Sequence, residues 1–273
     1  ILPGVNKSLV QMGYVRDVSI SDEAVGIKLA SACLDPDMME RIKAQVEKTA
    51  AGAETAKVNV TFEDIKPKEL NRIGNVIAVM SGKGGVGKSL VSGLLAIALR
   101  KHGFNVGIMD ADITGPSIPR MFGVKEAPHA SNSGMLPPSS KTGIEIMSLN
   151  LLLPSEDEAV IWRGPLIGKV ITQFWEEVLW GNLDFLVVDL PPGTADAPLT
   201  VLQQLPVTGV VIVSSPQDLA SMIVRKAVRM AVKMEKHIVG VVENMSYLHI
   251  PELDKDIEIF GKSQGEEMAK TAG

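Results

Sequence analysis

Residues Gly82 to Ser89 read GKGGVGKS, a run whose residue types suit one task, the holding of phosphate. Gly82, Gly84, Gly85 and Gly87, with Val86 between the last two, let backbone N–H groups close around phosphate oxygens. Lys88 has the reach to meet β- and γ-phosphates, and the Ser89 hydroxyl is a ligand for Mg²⁺. A plain glycine-rich turn has the same composition, so the flanks decide. Val76–Met80 (VIAVM) is a short, apolar, β-branched run of the kind that forms buried parallel strands, and Leu90–Leu99 is apolar and long enough for a helix. Strand, glycine loop and helix together are the context of a phosphate-binding loop, to which the helix N-terminus adds its dipole.

Two other apolar runs end in carboxylates. VGIMD leads into DADITGP, with Asp110 and Asp112; LDFLVVD leads into DLPPGTAD, with Asp189 and Gly193. An Asp closing an apolar strand beside a phosphate loop holds Mg²⁺ directly or through water, the role expected of Asp189. Asp112 is the candidate for orienting an attacking water, and Gly193 for bringing a backbone N–H to a γ-phosphate. Each alone is a common turn or cap residue; their joint occurrence carries the reading. Lys83 places a second cation early in the loop. It is either a solvated side chain or a group that acts on the nucleotide of a facing subunit, as a trans-acting arginine finger does, and the second role needs a dimer.

The elements that must position these residues alternate. Strands are expected at Val106–Asp110, Gly143–Leu149, Leu183–Asp189, Gly209–Ser215 and His237–Asn244, with an edge strand at Ile257–Phe260. Helices are expected at Ser117–Phe122, Gly168–Val178, Ala197–Gln204 and Leu219–Met234. That order implies an α/β fold, a mainly parallel sheet covered by helices on both faces, with its site at the carboxyl ends of the strands. This P-loop domain spans 75–273. Before it, residues 1–66 read as a small α+β domain: strands at Tyr14–Ile20, Val25–Ala30 and Lys57–Phe62, a turn at Ser21–Ala24, and a helix from Pro36 to Thr49 capped by Asp35. Residues 67–74 read as a linker. Cys33, in ACLDP, is either a small buried hydrophobe or a thiol whose pKa the adjoining helix N-terminus lowers, open to a reactive or metal role.

The totals narrow the classes. The 273 residues are 45% hydrophobic and 22% charged, ordinary globular values. The net charge of −5 argues against nonspecific nucleic-acid binding, and no apolar run reaches the length of a membrane span. One cysteine allows no internal disulfide, which fits a reducing compartment, and a cytoplasmic location is expected. The start, ILPGVNKSLV, has neither an initiator Met nor a signal pattern and reads as a processed product, so an organelle after processing stays open.

GKGGVGKS, DADITGPSIPRMFG, WRGP at Trp162–Pro165, DLPPGTAD and VVENMSY, in this order, resemble the Mrp/ApbC family of iron–sulfur cluster carrier ATPases. These belong to the MinD/ParA-like P-loop group with a deviant Walker A motif. Residues 1–66 resemble the small domain often fused in front of Mrp proteins, Cys33 matching its cysteine. The resemblance implies ATP and Mg²⁺ as cofactors, slow hydrolysis and a dimer with nucleotide at its interface, formed with a second copy or a related ATPase. It also implies an apoprotein client or cluster scaffold as partner; the charge and the apolar-run lengths lead to the expectation of no nucleic acid and no membrane. It makes Lys83 the signature lysine, Asp112 the hydrolysis-linked aspartate and Asn244 an adenine contact; Asn244 read alone is a strand-end turn residue. One departure stands out. The family's C-x-x-C after ENMSY falls here on Ile250 and Leu253, which cannot ligate iron, and one nearby imidazole, His249, does not rebuild that site. The ATPase half of the implied function is therefore better supported than the cluster half, and an ATP-gated interaction switch carrying no cluster is the alternative. A spatial organiser of the MinD or ParA kind would need a membrane-binding tail or a basic face, and GKSQGEEMAKTAG shows neither. The family continues past the position of Gly273 into a further strand, so an incomplete sheet edge is expected.

Overall fold

The computed structural model describes all residues except 1–6, 22–23, 51–56, 114, 154–163, 195 and 218–219. The first half of the WRGP motif and the middle of the Ser21–Ala24 turn lie outside the described residues.

The chain opens with β1 (Val15–Ile20), β2 (Ala24–Ala30), α1 (Pro36–Ala50) and β3 (Lys57–Glu63). β1 and β2 pair antiparallel, and β3 joins β2 in parallel, the register that a connecting helix permits. Asp35 caps α1 by accepting the Met38 N–H at 2.7 Å, and Pro36 takes the first helical position. Residues 67–74, expected as a linker, contain the short helix α2 (Pro67–Leu70) and the first residues of β4 (Arg72–Ser81). The extra structure has a tertiary cause. Asn71 accepts the backbone N–H groups of Trp180 and Gly181 and donates to Val178 O, which ties the segment to the start of a distant strand.

Then follow α3 (Lys88–Lys101), β5 (Val106–Asp110), α4 (Ile118–Phe122), the small hairpin β6 (His129–Ser131) and β7 (Gly134–Leu136), β8 (Glu145–Ser148) and α5 (Gly164–Glu176). The remainder is β9 (Asn182–Asp189), α6 (Asp196–Gln204), β10 (Gly209–Ser214), α7 (Ala220–Lys233), β11 (Ile238–Glu243), β12 (Leu248–Ile250), β13 (Lys255–Ile257) and α8 (Gly265–Ala272). Six strands make one sheet in the order β11-β10-β4-β9-β5-β8, every pair parallel. This is the mainly parallel sheet covered by helices that the alternating pattern implied. The edge strand expected at Ile257–Phe260 is not part of this sheet. Lys255–Ile257 pairs with Leu248–Ile250 in a short antiparallel hairpin, closed by the 3-10 turn Pro251–Leu253 and Asp254 in a left-handed conformation.

The strands are apolar on both sides, and alternation still sorts them. Ala78, Met80, Met109, Leu186 and Val188 join one core layer with α5, α6 and α7, while Val79, Ile108 and Val187 join the other with α3 and α4. A third core belongs to the N-terminal unit, around Tyr14, Leu29, Cys33, Ile42 and Val60, and it takes in Leu136 and Leu179 from the larger unit. The two units therefore share buried surface. Asn71, Gly181 and Leu179 lie at the amino ends of the central strands, so the small unit sits at the end of the sheet away from the phosphate loop.

Candidate functional site

β4 delivers the loop and α3 receives it. Gly85 and Gly87 both take positive φ, +79° and +84°, which closes the loop tightly enough for its N–H groups to face one space. Gly87 is also the residue before the first turn of α3, and a Cβ there would meet the Asn244 amide nitrogen at 2.3 Å. Ser81 Oγ donates to Lys83 O at 2.9 Å and steadies the entry to the loop. A cavity of about 270 Å³ opens at the loop, lined by Gly84, Gly85, Gly87, Lys88, Ser89 and Asp112 among others.

The acidic residues arrive from neighbouring strands. β9 lies between β4 and β5, and Asp189 is level with Val79 on one side and Asp110 on the other. Lys88 Nζ lies 2.8 Å from Asp189 Oδ1, 3.8 Å from Asp112 Oδ2 and 3.4 Å from Ser89 Oγ. Ser89 Oγ donates to Asp189 Oδ2 at 2.6 Å. Lys88, Ser89, Asp112 and Asp189 thus meet at one point. A hydroxyl and a carboxylate side by side are the hard oxygen donors that Mg²⁺ takes, so Ser89 and Asp189 fit that ion.

Asp110 has a supporting place. Its carboxylate accepts the N–H groups of Asp112, Ser117 and Ile118 at 3.1 to 3.2 Å and the Ser148 hydroxyl at 3.3 Å, and so shapes the loop that carries Asp112. Burial, and next the charge of Asp189, push the Asp110 carboxyl up to about 7; the Ile118 N–H and Lys88 act in the other direction.

The other expected site residues are close but differently engaged. The Gly193 N–H is donated to Ser81 O at 2.9 Å, so a phosphate contact requires that bond to be exchanged. Asn244 Nδ2 donates to Val86 O at 3.0 Å, laying its amide on the loop. The Lys83 ammonium contacts Gln217 Oε1 of its own chain. Two participants were not foreseen. Gln217, just past β10, is placed beside Lys83 only by the pairing of β10 with β4. Ser92 donates to Asp189 Oδ1 at 2.7 Å, and its spacing of three from Ser89, one helical turn, is the signal that could have found it.

Cys33 is not in this constellation. It is fully buried, its N–H is donated to Ser133 Oγ at 2.8 Å, and its sulfur packs near Gly134. The expected lowering of its pKa by the helix terminus does not occur. Burial pushes the thiol up to about 12, and the Leu179 backbone hydrogen bond offsets this only in part. Ile250 and Leu253 lie at the tip of the β12–β13 hairpin, with Leu253 exposed and His249 paired with Asp256. Among the described residues no three His, Cys, Asp or Glu side chains are grouped to hold a metal ion, and no helix is long and apolar enough to cross a membrane.

The family described as "ParA: NUBPL iron-transfer P-loop NTPase" matches residues 72–273. An "Iron-sulfur cluster carrier protein" of Clostridium perfringens is 46% identical over 226 residues, covering 80% of this chain and 76% of the relative. A protein of the same name from Synechocystis is 39% identical over 282 residues, covering 98% of this chain and 80% of the relative, so that match includes the N-terminal unit as well. A solved nucleotide-binding protein of Archaeoglobus fulgidus, in complex with ADP and with cobalt found in it, is 45% identical. It covers 75% of this chain and 81% of its own, with a TM-score of 0.66.

Proposed function

The chain belongs to the NUBPL iron-transfer P-loop NTPase family, as its five motifs imply, and from that premise we propose that it binds Mg·ATP, hydrolyses it slowly as a dimer and serves iron–sulfur cluster transfer. The observation that supports this most is the meeting of Lys88, Ser89, Asp112 and Asp189, the first three of which line one glycine-walled cavity. In this reading Lys88 and the loop N–H groups hold the β- and γ-phosphates, and Ser89 and Asp189 hold Mg²⁺. The ion, when bound, neutralises charge across those phosphates. Asp112 orients the attacking water by accepting its hydrogen bond. Lys83 leaves Gln217 and reaches the nucleotide of the facing subunit, and Asn244 turns from Val86 O to the adenine. Exchange of the Gly193–Ser81 bond couples the loop after β9 to the occupant of the site.

The cluster enters as cargo. The relatives' names favour cluster transfer over a switch that handles no cluster. A cluster takes about four thiolate ligands. Two copies of this sequence hold two cysteines, both the buried Cys33, so the thiolates come mainly from a scaffold or the client. The first test is Mg²⁺-dependent phosphate release by the wild type and by Lys88→Ala, with molecular mass measured in ATP and in ADP. Release and an ATP-dependent dimer in the wild type, both lost in the variant, are expected. A wild type that releases no phosphate overturns the ATPase reading. Anaerobic reconstitution followed by mixing with an apo-ferredoxin tests the cargo: absorbance from the client without gain over free iron and sulfide overturns cluster transfer.

A further inference from the structure

We infer that Ser92 is the positioning residue that keeps Asp189 aimed at the metal once the loop has taken up nucleotide. The inference rests on the reading above that Ser89 and Asp189 hold Mg²⁺.

Asp189 is fully buried, and its two oxygens are shared among three side chains. Oδ2 accepts from Ser89 at 2.6 Å; Oδ1 accepts from Ser92 at 2.7 Å and lies 2.8 Å from Lys88 Nζ. Two of these partners have other work when the site is loaded. Lys88 turns to the phosphates, and the Ser89 oxygen turns to the ion. Ser92 has none: it does not line the cavity, is fully buried in the first turns of α3 and has no exposed surface from which to meet a ligand. Its single proton lies between Asp189 Oδ1 at 2.7 Å and Lys88 O at 3.1 Å, one turn back along the helix. The carboxylate is the closer and the charged acceptor, so it receives the stronger bond. Among the described side-chain partners of Asp189, Ser92 alone stays in place through loading. A hydrogen bond of this kind fixes which oxygen of the carboxylate faces the metal, and groups that orient metal ligands typically contribute about 10- to 100-fold in metal affinity.

The test uses the full chain loaded with ADP and follows Mn²⁺ binding by electron paramagnetic resonance, in the wild type, Ser92→Ala and Ser92→Thr. ADP affinity in the presence of EDTA is measured alongside, since that value moves if the substitution only disturbs the loop. The expected result is a Mn²⁺ affinity at least ~10-fold weaker in Ser92→Ala, an unchanged ADP affinity in EDTA, and recovery in Ser92→Thr, which keeps the hydroxyl. Equal Mn²⁺ affinity in all three overturns the inference. So does an equal loss in both variants, because side-chain volume and not the hydroxyl is then responsible, and so does a parallel loss of metal-free ADP binding. A wild type that binds no Mn²⁺ with ADP fails differently: it removes the metal assignment of Ser89 and Asp189, and this inference with it.

Discussion

Cys33 shows how far a residue's surroundings can reverse what its neighbours in sequence suggest. It lies three residues before α1, where a helix dipole favours thiolate, yet its sulfur is enclosed by Gly134, Leu179 and the core of the small unit. Desolvation disfavours the charged form more than the helix end favours it, and the thiol stays neutral through the neutral range. Because the folded value is raised above the unfolded one, this group adds stability that is present below about 9 and is lost as the pH rises toward about 12. An aromatic disulfide reagent should therefore label Cys33 slowly in the native protein and at once in denaturant. Rapid native labelling at mildly alkaline pH would show an accessible thiolate and contradict the buried placement.

At the scale of elements, the phosphate loop and β11 are fitted to each other. Gly85 and Gly87 share a left-handed conformation, but a Cβ on Gly85 meets nothing within 4 Å, whereas one on Gly87 runs into Asn244 Nδ2 at 2.3 Å. Gly85→Ala should cost about 1 kcal/mol, the backbone penalty alone. Gly87→Ala should cost more and should push the Asn244 amide off Val86 O, weakening adenine nucleotide binding. Adding Asn244→Gly to Gly87→Ala removes the clash and should recover part of the lost stability without restoring affinity. Urea unfolding and ADP titration of the four proteins separate these effects; equal costs for the two glycine variants would refute the fitted contact.

Across the whole molecule, the N-terminal unit is held to the sheet by shared core and meets its edge strand β8 through the contact of Lys7 with the buried Glu145. Glu145 is fully buried, and its Oε2 has no hydrogen-bond partner among the described residues. Burial raises its carboxyl to about 7, against the opposing pull of Lys7. The folded form thus binds the proton more tightly than the unfolded chain, so this group's contribution is full below 4.5 and fades as the pH rises to about 7. Glu145→Gln, neutral at every pH, should flatten that part of the stability profile, measured as melting temperature from about pH 5 to about pH 8; an unchanged slope would contradict it. The candidate site was legible because its chemistry is local. A glycine loop between an apolar strand and a helix, and an Asp closing each of two other strands, are properties of short stretches, and these put Lys88, Ser89, Asp112 and Asp189 among the candidate residues. Their partnership was not legible. The parallel strands are apolar on both faces, so no alternation records which strand lies beside which. Only the folded sheet decides that β9 enters between β4 and β5, carrying Asp189 across 100 residues of sequence to 2.6 Å from Ser89, with Ser92 behind it. The same limit hid the fate of Cys33 and the tie made by Asn71, because burial is set by surfaces that come from distant parts of the chain. Sequence determined which residues could do chemistry; strand order and the packing of the two units decided which of them meet.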